Sequence, residues 1–186
     1  DSECECHIYG PRHEGMDCEE ILGKLFAPPF WPIALDKLPA KLSFHSFDVV
    51  EEMPLGDDIT LGFLPLNHPN GAFGFRLCHG GKVFCYVLDH EHTPEYSHLL
   101  SAFVHRCDLL LCDATYTAEE YDRKRGFGHS AMETMAEFAE TAEVKRLLLS
   151  HHGTDKTDAM LSVLEARLHR DYPHCAFARD GMEVLL

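Results

Sequence analysis

The sequence predicts one mixed α/β domain of the α+β kind, with strands gathered first and strand–helix units following. Two observations carry that expectation. Residues 41–88 hold runs of strand length separated by Asn70-Gly71 and Gly80-Gly81, and both dipeptides suit tight hairpin turns. From Thr93-Pro94 onward, helical apolar periodicity alternates with short continuous apolar runs, the texture of strand–helix units. At 186 residues the chain is long enough for one domain that buries roughly 70% of its unfolded surface. Hydrophobic residues at 45% and charged residues at 25% make an ordinary globular balance.

The elements follow in order. His7–Pro11 reads as a strand and residues 17–26 as a helix. Pro28-Pro29-Phe30-Trp31-Pro32 then stops the helix, because proline has no N–H to donate and its predecessor avoids the helical region. Residues 41–47 alternate apolar and polar, as a half-buried strand does. With 59–66, 72–77 and 83–88 they predict an antiparallel meander. Thr93 is the expected N-cap of a helix over 94–104, with Pro94 at its first position. Strand 108–113, helix 118–124, helix 130–142, strand 144–149 and helix 156–170 come next, and a hairpin over 174–186 closes the chain. Thr117-x-x-Glu120 and Ser130-x-x-Glu133 have capping-box spacing. Met132, Met135, Ala136 and Ala139 form an apolar stripe at helical spacing, read as core packing. No repeat, low-complexity tract or linker interrupts the domain, 1–186.

Sixteen Lys and Arg against 31 Asp and Glu leave a formal charge of −15. Such a surface repels polyanions and disfavours extended nucleic acid as a partner. A small anion is a different matter, because a bound metal inverts the local field. No apolar stretch reaches membrane-span length. The eight cysteines contain no CxxC pair, and Cys85, Cys107 and Cys112 lie in or beside apolar runs. They read as reduced thiols of a cytoplasmic protein.

Four residues carry the chemistry. His68 follows the run 59–66, Asp89 follows 83–88, and His151 follows 144–149. Imidazoles and a carboxylate delivered to one rim by successive strands are what a transition-metal site requires. We therefore expect His68, Asp89 and His151 to converge, with Asp89 able to face two cations through its two oxygens. His129 opens a helix, where an imidazole beside a bound phosphate can give a proton to a leaving oxygen. Asp113, at the end of the neighbouring strand, is a candidate to orient a metal-bound histidine. His90 and His92 are expected to be solvated.

Leu66-Asn67-His68-Pro69-Asn70-Gly71-Ala72-Phe73-Gly74-Phe75-Arg76, Val87-Leu88-Asp89, Asp113-Ala114-Thr115-Tyr116, Gly126-Phe127-Gly128-His129-Ser130 and Leu149-Ser150-His151-His152 stand in an order that resembles the metallo-β-lactamase-fold hydrolases, in the branch of ribonuclease Z and related phosphodiesterases. The likeness runs from about His7 to the C-terminus. It implies the αββα sandwich, with His68 and His151 as metal ligands, Asp89 as the bridging carboxylate and His129 as the histidine that aids departure of the leaving group. It further implies a metal-dependent hydrolase using two ions, zinc or manganese, on a small anionic ester or phosphodiester such as a cyclic nucleotide. A homodimer is compatible with this reading.

The family's His-x-His-x-Asp-His signature does not occur in these 186 residues. Together with an N-terminus that is not Met, this leads us to expect the C-terminal two thirds of a fold that is N-terminally incomplete. Half of the two-metal site would be absent, and metal occupancy of this chain alone would be partial or nil. Two other functions stay open: a non-catalytic binding or signalling module that keeps the fold without metals, and a thioester or lactam hydrolase on the same fold.

Overall fold

A computed structural model describes residues 4–47 and 52–186. The chain divides into two compact units, Asp1–Val50 and Glu51–Leu186. The first holds β1 (Glu5–Pro11), α1 (Cys18–Leu25) and β2 (Lys41–Phe47), with a short 3₁₀ turn at Leu35–Lys37 between α1 and β2 in the chain. Asp17 accepts from the Glu20 N–H while the Glu20 carboxylate accepts from the Asp17 N–H, a capping box that starts α1. β1 and β2 pair in parallel, from Glu5↔Lys41 to Pro11↔Phe47. The expected meander therefore excludes this pair: α1 and the proline-rich stretch carry the chain back, and a crossover connection yields parallel strands.

The second unit is built on a seven-stranded sheet in sequence order. β3 (Met53–Pro54), β4 (Ile59–Leu66), β5 (Ala72–His79) and β6 (Lys82–Val87) are antiparallel neighbours. The Gly80-Gly81 loop joins β5 to β6 with both residues at positive φ, +55° and +75°, the type I′ geometry that follows the strand twist. Then α2 (Pro94–Val104), β7 (Leu109–Asp113), α3 (Ala118–Tyr121), α4 (Met132–Thr141), β8 (Leu147–Ser150), α5 (Asp158–Asp171) and β9 (Cys175–Phe177) follow. β6, β7, β8 and β9 are mutually parallel, with helices in every crossover, as parallel pairing demands.

Met132, Met135, Ala136 and Ala139 of α4 are all buried against Cys85, Val87, Leu110, Cys112 and Leu149 of the sheet. The apolar stripe is core, as its spacing predicts. All eight cysteines are free thiols, five of them buried.

Two expectations need correction. Residues 174–186 do not form a hairpin: only Cys175–Phe177 is a strand, and it runs parallel to β8. The Ser130 capping box does not form either, because α4 starts two residues later, with Ala131 at its N-cap position. Ser130 is engaged elsewhere: its hydroxyl donates to the His90 carbonyl and accepts from the His92 N–H. Glu133 instead accepts from the Ala118 N–H and pairs with Arg167.

Candidate metal centre

The topology decides which side chains can meet. β4 and β6 run the same way, since each is antiparallel to β5, and β7 and β8 are parallel to β6. Residues just past β4, β6, β7 and β8 therefore share one edge of the sheet. In mixed α/β sheets the carboxyl ends of parallel strands are where sites form, because the crossovers turn away there. His68, Asp89, Asp113 and His151 occupy those four ends.

Asp89 and His151 both hold positive φ, +52° and +57°. Non-glycine residues seldom adopt that region, and such strain concentrates at functional sites. It turns the two side chains toward each other: His151 Nε2 lies 3.2 Å from Asp89 Oδ1. Asp89, Asp113, His129 and His151 each place one donor atom within 4.8 Å of all the others, the one such grouping among the described residues.

Asp113 is 1% exposed, and its oxygens are taken. Oδ1 accepts from the Thr115 N–H (3.0 Å), the Thr115 hydroxyl (2.8 Å) and the Ser130 N–H (3.3 Å). Oδ2 accepts from His129 Nδ1 at 2.7 Å and from the His90 N–H at 3.4 Å. A carboxylate so occupied positions its neighbours. It holds the Nδ1–H tautomer of His129 and leaves Nε2 as the ring nitrogen free to act. Thr115 does the same for His151, with its hydroxyl 3.0 Å from Nδ1, so that Nε2 faces Asp89.

His68 reaches the cluster from its own strand end. Its ring meets His129 edge-on at 5.5 Å between centroids, and His129 stacks on His151 at 4.9 Å. His68 lies outside the tight group of four, and its buried Nδ1 has no hydrogen-bond partner. Carboxylate oxygens and neutral imidazoles are donors that zinc and manganese accept. With an orphaned imidazole nitrogen at the rim, the donor set fits a divalent cation.

The loop carrying His129 is held by a residue that pattern reasoning missed. Glu91 is buried, and its carboxylate accepts from the N–H groups of Gly126 and Gly128 and from the Tyr121 hydroxyl at 2.8–2.9 Å. Burial opposes its ionisation, yet these donors outweigh burial and keep its carboxyl below the usual range. Gly128 sits at φ +88°, where a Cβ would lie 2.4 Å from His68 Cδ2. Only glycine lets this loop approach His68 so closely. Thr115 and Ser130 were also missed as site residues. Their signal was their place within the quoted Asp113-Ala114-Thr115-Tyr116 and His129-Ser130 segments.

The expectation that His90 and His92 are solvated is overturned. His90 is fully buried, edge-on to His92 and Tyr96, and His92 packs on Phe138 at 4.6 Å. Burial, with His92 beside it, pushes His90 down to about 3, and burial lowers His92 as well. Both are neutral. The reason is tertiary: the backbone turns inward after Asp89, and α2 and α4 close over the run.

The sequence profile of the beta-lactamase superfamily domain matches residues 16–152. The chain belongs to that superfamily. Its curated relatives include ribonuclease Z proteins. Ribonuclease Z of Gemmatimonas aurantiaca is 36% identical over 83 residues, covering 42% of this chain and 25% of that protein. Ribonuclease Z of Lactobacillus helveticus is 22% identical over 152 residues, covering 82% and 46%. The chain thus spans less than half the length of these curated relatives. The metallo-beta-lactamase fold protein YhfI of Bacillus subtilis superposes with a TM-score of 0.69 at 17% identity, over 96% of this chain and 64% of that one. Human tRNase Z, short form, gives 0.64 at 18%, over 95% and 66%. These likenesses establish the mixed α/β metallo-β-lactamase fold that the motifs implied. No helix among the described residues is long and apolar enough to cross a membrane.

Proposed function

We propose that this superfamily member is a metal-dependent hydrolase that cleaves a small phosphodiester, with His68, Asp89 and His151 as cation ligands and His129 as the proton donor to the leaving oxygen. The observation that carries the reading is the buried Asp113 carboxylate 2.7 Å from His129 Nδ1, beside the Asp89–His151 pair. A divalent cation such as zinc or manganese, when bound by these donors, supplies Lewis-acid polarisation of the ester and acidifies water. The chain's own residues do the rest. Asp113 and Thr115 hold the Nδ1–H of two imidazoles, Glu91 and Gly128 set the distance between His129 and His68, and His129 acts in its imidazolium form, keeping Nδ1–H on Asp113 while the Nε2 proton goes to the leaving oxygen. Asp89 has two oxygens and a half-exposed side chain, which suits a carboxylate shared between two cations.

The −15 charge favours a compact anionic ester over a long polyanion. The free thiols support a reducing, cytoplasmic setting. We read residues 1–186 as one functional domain, since the superfamily match from 16 to 152 runs across both compact units.

The test is metal content and turnover of bis(p-nitrophenyl) phosphate by the natural full-length protein. His129→Ala should cut turnover about 10²–10⁴-fold with metal content unchanged, whereas His151→Ala should lose metal and activity together. Metal-free protein with no turnover would make the domain a binding module. Loss of metal in His129→Ala would assign that residue to coordination.

A further inference from the structure

Beside the proposed centre lies a groove of about 440 Å³, walled by Tyr116, Glu120, Arg123 and Lys124 on one side and by Asp155 and Lys156 on the other. It adjoins the centre through Tyr116, whose ring meets His129 at 6.1 Å. The charges on its walls differ in availability. Lys156, with a side chain only 2% exposed, is neutralised by Glu120 at 3.0 Å and Asp155 at 3.8 Å, and it donates to the Thr115 carbonyl. Arg123 and Lys124 have no carboxylate partner among the described residues. Lys124 rests over the face of Phe127, 5.1 Å from the ring centroid, which holds an ammonium without neutralising it. Glu119 is the one wall carboxylate without a cation partner among the described residues.

We propose that this groove is a second anion subsite, in which Arg123 and Lys124 bind a further phosphate of the substrate while the proposed centre cleaves the ester. The inference rests on the hydrolase reading and narrows it to phosphodiesters that carry another phosphate. Two free cations meeting at one groove wall are conspicuous in a chain with 31 acidic and 16 basic residues. They stand on the short segment between α3 and His129, so a substrate gripped there is placed relative to the proton donor. An arginine fork and a lysine point charge together suit a phosphate.

The kinetic test compares two esters on the metal-loaded full-length protein: thymidine 5′-(p-nitrophenyl phosphate) with and without a 3′-phosphate. We expect kcat/KM to favour the 3′-phosphorylated ester by about tenfold, the lower end for one hydrogen bond to a charged group. In R123A/K124A that ratio should fall toward one. A ratio near one in the unsubstituted protein, or a ratio that survives the substitutions, overturns the subsite.

A binding test is independent of turnover. Inorganic pyrophosphate titrated into metal-stripped protein should bind, weaken with added salt and lose most of its affinity in R123A/K124A. Glu119→Gln, which removes the competing carboxylate, should bind it more tightly. Equal affinity across the three proteins overturns the proposal. Should neither ester be cleaved, the hydrolase reading fails and the pyrophosphate titration alone decides the subsite.

Discussion

At the residue scale, the centre depends on close approach more than on the ligand types themselves. Gly128 shows why. Its φ of +88° and the 2.4 Å gap its Cβ would leave to His68 Cδ2 combine two penalties, a left-handed backbone and an overpacked contact. Gly128→Ala should lower unfolding stability by about 2–4 kcal/mol, measured by urea denaturation, and should displace His129. A variant of unchanged stability would mean that the loop yields easily and that Glu91 does not anchor it. Asp113→Asn tests the tautomer argument. The amide keeps the shape but can present its NH₂ to His129 Nδ1, which inverts the hydrogen bond. We expect turnover to drop while metal content holds, as for loss of proton donation; a parallel loss of metal would make Asp113 itself a ligand.

At the element scale, strand ends are pinned by charge and helices by burial. Asp108, just before β7, accepts from the Val83 N–H at 2.9 Å and from Lys145 at 2.9 Å, with Lys82 at 3.5 Å. The Lys145 hydrogen bond, then the Val83 N–H, hold its carboxyl below the ordinary aspartate value. A depressed folded-state pKa means stability that is present above the unfolded value, about 3.9, and lost as pH falls through the lower folded value. Unfolding free energy should therefore decline from about pH 4 downward, and Asp108→Asn should flatten that part of the profile. An unchanged acid limb in Asp108→Asn would show that this carboxylate does not tie β6 to β7. Met135 is the corresponding helix case. It is fully buried on the core-facing side of α4, and Met135→Ala should cost about 2–5 kcal/mol through lost burial and a residual cavity.

At the scale of the whole molecule, cation binding and thiol state report on the assembled fold. Zinc added to stripped full-length protein should raise stability by about 2.7 kcal/mol when free zinc is about a hundred times its Kd. The gain should vanish in His151→Ala, and a melting temperature indifferent to zinc in both proteins would remove the cation from the reading. Five of the eight cysteines are buried, so only Cys4, Cys6 and Cys78 should react readily with a thiol reagent before unfolding, and all eight afterwards.

Periodicity and turn chemistry in the sequence were enough to determine most of the elements of this protein, though not β3 or the closing segment. Apolar runs of strand length placed β4, β5 and β6 within a residue or two, because a buried strand needs an unbroken apolar face. The ends of β6, β7 and β8, at Asp89, Asp113 and His151, were legible as chemistry for a related reason: polar groups directly after buried strands must be satisfied or used. What only the tertiary structure decided was direction and depth. Whether β1 and β2 run parallel, whether β9 pairs with β8 or folds back as a hairpin, and whether Ser130 caps α4 or bridges His90 and His92 all depend on contacts distant in sequence. The burial of His90 and Glu91 belongs to the same class. A His-Glu-His run reads as solvated until helices from elsewhere in the chain cover it, and local pattern holds no information about what will lie on top.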